Sequence, residues 1–125
     1  MTIGDIETKV RETLLAEHTP DGTYPASFIV SNIFDGIRML NSICPQSRYR
    51  GIKLVRDIEF PFLTKNSAAS DVTSAESMDF PCDPRWERAV RCFAVSKCLD
   101  MDAADDFTLQ RAQAYLAEFN ALAHA

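Results

Sequence analysis

This chain has few of the residues from which reactive sites are built. Four glycines stand in 125 residues, and none forms the glycine-rich loop that cradles a phosphate. The two histidines, His18 and His124, lie far apart, one beside a proline-rich turn and the other next to the last residue. The four cysteines, Cys44, Cys82, Cys92 and Cys98, make no C-x-x-C pair and match no zinc spacing, so they read as reduced structural thiols. No serine sits in a nucleophile-elbow setting, and no carboxylate pair stands out from the solvated background. No apolar run approaches the roughly 18 residues of a membrane span, and the polar stretch from Met1 to Glu12 lacks the apolar core of a secretory signal. The expectation is a non-enzymatic chain that uses no metal, no cofactor and no membrane.

Cations are also in the minority. Lys and Arg number 13 against 18 Asp and Glu, a formal charge of -5, which argues against a general affinity for nucleic acid. Arg48, Arg50, Lys53 and Arg56 cluster, as do Arg85, Arg88 and Arg91; each group reads as a solvated face balanced by nearby carboxylates. Asp100, Asp102, Asp105 and Asp106 resemble calcium ligands in type. They lack the central glycine and distal glutamate of an EF-hand, and helix capping accounts for them.

What the chain does have is helical periodicity, broken once in the middle. Ile3, Ile6, Val10 and Leu14 recur at steps of three and four and predict a helix over 3–17, with Thr2 as its N-cap. The segment from His18 to Pro25 breaks it with two prolines and a Pro-Asp-Gly turn. Val30, Ile33, Phe34, Ile37 and Leu40 predict a second helix over 27–43, capped by Ser27 and ended by Cys44-Pro45, with Gly36 marking a close helix contact. Asp83 and Pro84 open a third helix over 84–100 that carries Trp86, Ala89, Val90, Phe93, Ala94 and Cys98. Leu109, Ala112, Leu116 and Phe119 predict a fourth over 106–123, and the short acidic link makes the last two an antiparallel hairpin. The fold class is thus mainly α: a single four-helix domain of two helical pairs over residues 1–125, with a central arm over 49–83.

That arm changes period. Leu54, Ile58, Phe60 and Phe62 fall on one side of an extended chain, with Pro61 placing it at a sheet edge. The following stretch, Thr64 to Ser77, is small and polar; it is either a hairpin tip or a segment ordered by a partner, and Met78 and Phe80 form a short return strand. An irregular insertion this long between helices usually has a function. The apolar strand can add to a neighbouring subunit, which makes Leu54, Ile58, Phe60 and Phe62 the candidate subunit interface, or it can fold back on its own helices. A small helical DNA-binding regulator is the alternative. Against it, the turn between the first two helices is long, and the second helix lacks the Arg, Lys, Asn and Gln of a recognition face.

The C-terminal half reads Pro84-x-Trp86-x-x-Ala89-Val90-x-x-Phe93, then Cys98-Leu99-Asp100, then Ala112-x-x-Tyr115-x-x-x-Phe119-x-x-x-Ala123. This resembles the closing helical hairpin of the tailed-bacteriophage head-to-tail connector (adaptor) proteins, and the order of elements before it is similar as well. The resemblance implies a structural subunit of a homo-oligomeric ring, commonly twelve-fold, in the neck of the virion and assembled in the host cytoplasm. It implies that the ring docks on the portal protein, meets a downstream tail or neck protein, and passes DNA through its lumen without specific binding. Portal docking by the C-terminal segment would fall to Phe119 and Leu122. Trp86, Phe93, Tyr115 and Phe119 are also expected in the helical core.

Overall fold

The computed structural model describes residues 1–17, 24–50, 53–54, 60–64, 66–101 and 106–124, and these are mainly helical. Among them are five α-helices: α1 (Ile3–Ala16), α2 (Ala26–Ile43), α3 (Ala69–Glu76), α4 (Glu87–Met101) and α5 (Asp106–Ala123). That is one more than the four expected.

Several helix ends have a local cause. Thr2 and Asp5 form a capping box at α1: Asp5 N–H donates to Thr2 Oγ1 at 3.2 Å, and Thr2 N–H donates to Asp5 Oδ2 at 2.8 Å. The expected Ser27 cap at α2 is not used. The helix starts one residue earlier, at Ala26, after Pro25 in an extended conformation, and Ser27 is buried inside it. The stop at Cys44-Pro45 is as expected, and a 3₁₀ turn follows over Pro45–Arg48. Asp83 accepts from Arg85 N–H, and Pro84 opens a 3₁₀ turn, Pro84–Trp86, that leads into α4.

The core is built from the stripes that the helical period marks. Ile3, Ile6, Val10 and Leu14 of α1, and Val30, Ile33, Phe34, Ile37 and Leu40 of α2, are all buried, as are Ala89, Val90, Phe93, Ala94 and Cys98 of α4. Gly36 is where α2 meets α4: a Cβ there would stand 3.1 Å from Phe93 Cδ1. Phe93 in turn meets Phe119 of α5 edge-on, with ring centroids 5.2 Å apart. The α4–α5 hairpin is closed by Ser96 Oγ donating to the Ala112 carbonyl at 2.7 Å. On α5 the buried positions are Ala112, Phe119 and Ala123, whereas Leu109 is exposed. The expected α5 stripe is therefore turned toward small residues, which let the helix axes come close.

The middle of the chain departs most from expectation. Strands β1 (Tyr49–Arg50) and β2 (Lys53–Leu54) pair antiparallel in the register Tyr49 to Leu54 and Arg50 to Lys53, a ladder two residues deep. Farther on, the polar stretch is neither tip nor open coil. It forms α3, whose Val72 and Ala75 are buried against α1 and α2. Eight residues are too few to be stably helical alone, so packing holds α3 in place. The expected return strand exists only as an isolated bridge, Thr2 with Asp79, flanked by Ile3 N–H to Met78 O at 2.8 Å and Phe80 N–H to Met1 O at 2.9 Å. Its partner is the N-terminus of the chain, not the first half of the arm.

Candidate interaction surface

Residues 60–64 lie alongside α2. Phe60 stacks on Phe34, with ring centroids 4.4 Å apart and planes at 14°, and the Arg38 guanidinium lies 5.1 Å from the Phe60 centroid. Three residues on, Leu63 is buried and its carbonyl accepts from Ser31 Oγ at 3.2 Å. Between these two anchors Phe62 is 91% exposed, the most exposed large apolar side chain among the described residues.

The expectation that Phe60 and Phe62 share one side is therefore corrected: Phe60 points in and Phe62 points out. A strand would put both on one face. Pro61 has no N–H for a ladder and a fixed φ, and residues 60–64 carry no strand assignment. Of the remaining interface candidates, Leu54 belongs to β2, and Ile58 lies outside the described residues. Phe119, expected both in the core and at the portal, is 1% exposed and belongs to the core, whereas Leu122 is half-buried.

Polar groups elsewhere are largely committed to one another. A cleft of about 200 Å³ is lined by Thr13, Arg88, Arg91, Cys92, Val95, Tyr115 and Glu118. Arg88 pairs with Glu118, Arg91 Nε faces Glu87 at 3.6 Å, and Tyr115 O–H donates to Glu17 at 2.7 Å. Arg111 also grips Glu17, tying the end of α1 to α5. Burial pushes the thiols of Cys92 and Cys98 up to about 11 and that of Cys82 up to about 12, which keeps them protonated and poorly nucleophilic at neutral pH. Among the described residues there is no group of three or more His, Cys, Asp or Glu that could hold a metal ion, and no helix long and apolar enough to cross a membrane.

One carboxyl pair is unusual. Glu7 of α1 is buried, facing Glu76 at the end of α3, and it accepts from Arg11 Nη2 at 3.0 Å. Burial, and next the hydrogen bond with the Glu76 carboxyl, push Glu7 from 4.5 up to about 7. The folded chain thus keeps a proton that the unfolded chain releases near pH 4.5. The resulting stabilisation is complete below 4.5 and disappears as pH rises through about 7. Glu7→Gln, which mimics the protonated form, is expected to remove this slope. Urea midpoints of both proteins between pH 4.5 and 8 measure it, and parallel pH curves for the two would refute the shared proton.

Set against family models, curated proteins and solved structures, the chain matches none.

Proposed function

We propose that this chain is the structural subunit of a phage head-to-tail connector ring, docking on the portal and continuing the DNA channel to the tail. In this reading the residues after α2 serve as the arm that touches the neighbouring subunit. The observation that carries it is Phe62, fully presented to solvent on a segment pinned on both sides by Phe60 and Leu63. An aromatic held in this way loses little conformational freedom on binding, which is what an interface anchor requires. In a monomer it would only expose apolar surface.

Two further features support the reading. The formal charge of -5 suits a lumen along which DNA slides without adhering. The charged and phenolic groups that line the cleft are paired, Arg88 with Glu118, Arg91 with Glu87 and Tyr115 with Glu17, which favours the surface over the cleft as the place where the chain acts. Portal docking then rests on Leu122 and its surroundings.

The test is mass by light scattering of the purified chain, alone and mixed with lysate from phage-infected cells. A ring, or a chain that joins portal-containing particles, is the expected result. Phe62→Ser is expected to lose assembly while keeping the wild-type far-ultraviolet helical signal. A stable monomer that ignores such particles and binds duplex DNA in a salt-sensitive manner would replace this reading with the regulator.

A further inference from the structure

The hold of α3 on the helical body is slight. Of its residues Val72 and Ala75 are buried against α1 and α2. Its N-cap is Ala68, which makes no side-chain hydrogen bond to the first turn. The chain is fixed separately on either side of it. Before α3 the Leu63 carbonyl accepts from Ser31 Oγ at 3.2 Å, and after it the Met78 carbonyl accepts from Ile3 N–H at 2.8 Å. Docking of α3 is thus a different event from the anchoring of its ends.

Where α3 ends, it sets one carboxyl group against another. A Cβ on Gly4 would stand 3.2 Å from the Glu76 carbonyl and 3.5 Å from Glu76 Cβ. Glu7 follows Gly4 by three residues, hence on the same face of α1, and it is 5% exposed. Arg11 donates to it from Nε at 3.3 Å and from Nη2 at 3.0 Å, both times to Oε1. The carboxyl group so held also shares a hydrogen bond with the Glu76 carboxyl. Two carboxyl groups can share that bond only while one of them keeps a proton.

The charges around this corner are engaged elsewhere. On α1, Asp5 closes the capping box with Thr2, and Lys9 faces Glu87 of α4 at 3.9 Å. Glu87 also faces Arg91 at 3.6 Å, and on α2 Asp35 pairs with Arg38 at 3.0 Å. The Cys98 thiol of α4, close enough to sense Arg11, is pushed up to about 11 by burial and stays neutral. Asp71 of α3 and Asp79 beyond it are exposed. The charges that act on Glu7 are those of Glu76 and Arg11, one cation against two carboxylates once the proton leaves.

We propose that α3 is held by a pH-operated latch, closed by the proton between Glu7 and Glu76 and opened by its loss, so that α3 undocks from α1 and α2 while the rest of the fold persists. The latch does not depend on the connector reading. Its sign follows from the proton taken up on docking. Burial, and next the bond with Glu76, move Glu7 from 4.5 up to about 7. The latch is therefore fully closed below 4.5, weakens about tenfold for each pH unit above that, and weakens no further beyond about 7.

Native-state hydrogen exchange tests it, with each rate divided by the intrinsic rate of its amide. The amides of α3 are expected to exchange through an opening of their own. Their protection should be lower than in α1, α2 and α4, and low urea should leave it unchanged, because undocking exposes little surface. It should fall about tenfold per pH unit between 4.5 and about 7 and then level off. Glu7→Gln and Glu76→Gln each carry a permanent N–H donor in place of the shared proton, so in both variants this slope should flatten while the circular dichroism stays that of the wild type. The latch is overturned if α3 exchanges with the protection and urea dependence of the other helices, since it then opens only when the whole fold does. It is equally overturned if the protection of α3 is the same at both ends of that pH range, or if either folded variant keeps the wild-type slope.

Discussion

Phe119→Ala is expected to lower the free energy of unfolding by about 3–5 kcal/mol, the usual cost of emptying a large aromatic site that cannot collapse. Phe119 is 1% exposed and holds the edge of Phe93, so its removal leaves a void between α4 and α5. The neighbours are poorly suited to fill it, because Ala112 and Ala123 reach no farther than their methyl groups and Ser96 is committed to the Ala112 carbonyl. Denaturant titration followed by circular dichroism measures the loss. Leu122→Ala, at a half-buried site, should cost clearly less. If Phe119→Ala kept full stability yet failed to join portal-containing particles, Phe119 would be a docking residue after all and its burial would be incidental.

The second large effect belongs to Gly36. Gly36→Leu is expected to destabilise the fold by about 3 kcal/mol, the upper end of ordinary overpacking. The new Cβ alone would lie 3.1 Å from Phe93 Cδ1 and 3.4 Å from Phe93 Cβ, and the remaining side chain has to go through the ring. Gly36→Ala is the informative companion. Alanine gains up to about 1 kcal/mol in helix propensity over glycine, and that gain works against the displacement of Phe93. The leucine variant should therefore lose far more than the alanine variant. Equal losses would mean that α2 and α4 can move apart freely, and that their close approach contributes little.

Much of this architecture was legible in the sequence, and the limits have physical causes. The stripes of α1, α2 and α4 are strong because large apolar residues recur at helical spacing and all of them are buried. Gly36 stood out because a glycine inside such a stripe is costly unless a neighbour needs the space. By contrast α3, Ala-Ser-Asp-Val-Thr-Ser-Ala-Glu, offers a period too weak to read, with Val72 and Ala75 as its buried contacts. Its place is decided at long range: a Cβ on Gly4 would stand 3.2 Å from the Glu76 carbonyl, so glycine lets α3 end against α1. On α5 the expected stripe held Ala112 and Phe119, which are buried, but its first member, Leu109, is exposed, and Ala123, outside it, is buried where close helix packing favours a small residue.

The exposed apolar positions were half legible. An imperfect alternation drew attention to the stretch ending at Phe62, the most exposed large apolar side chain among the described residues, but put Phe60 on the same side. Only the proline between the two gave notice that the period would break. Met101 and Phe107 carried no sign in the hydrophobic pattern that they would be exposed. The aspartates around them in the sequence were the available signal, since carboxylates are almost never fully buried unless paired.

The backbone pairing of Met1–Ile3 with Met78–Phe80 has an architectural consequence. After Cys44 the chain is tied back to the helical body at Phe60 and Leu63, again through Val72 and Ala75 of α3, and finally at Met78. Loop-closure entropy grows only logarithmically, by about 0.6 kcal/mol for each doubling of length. Residues added between successive tethers would therefore cost the helical body little, provided that Phe60, Leu63, Val72 and Ala75 keep their places.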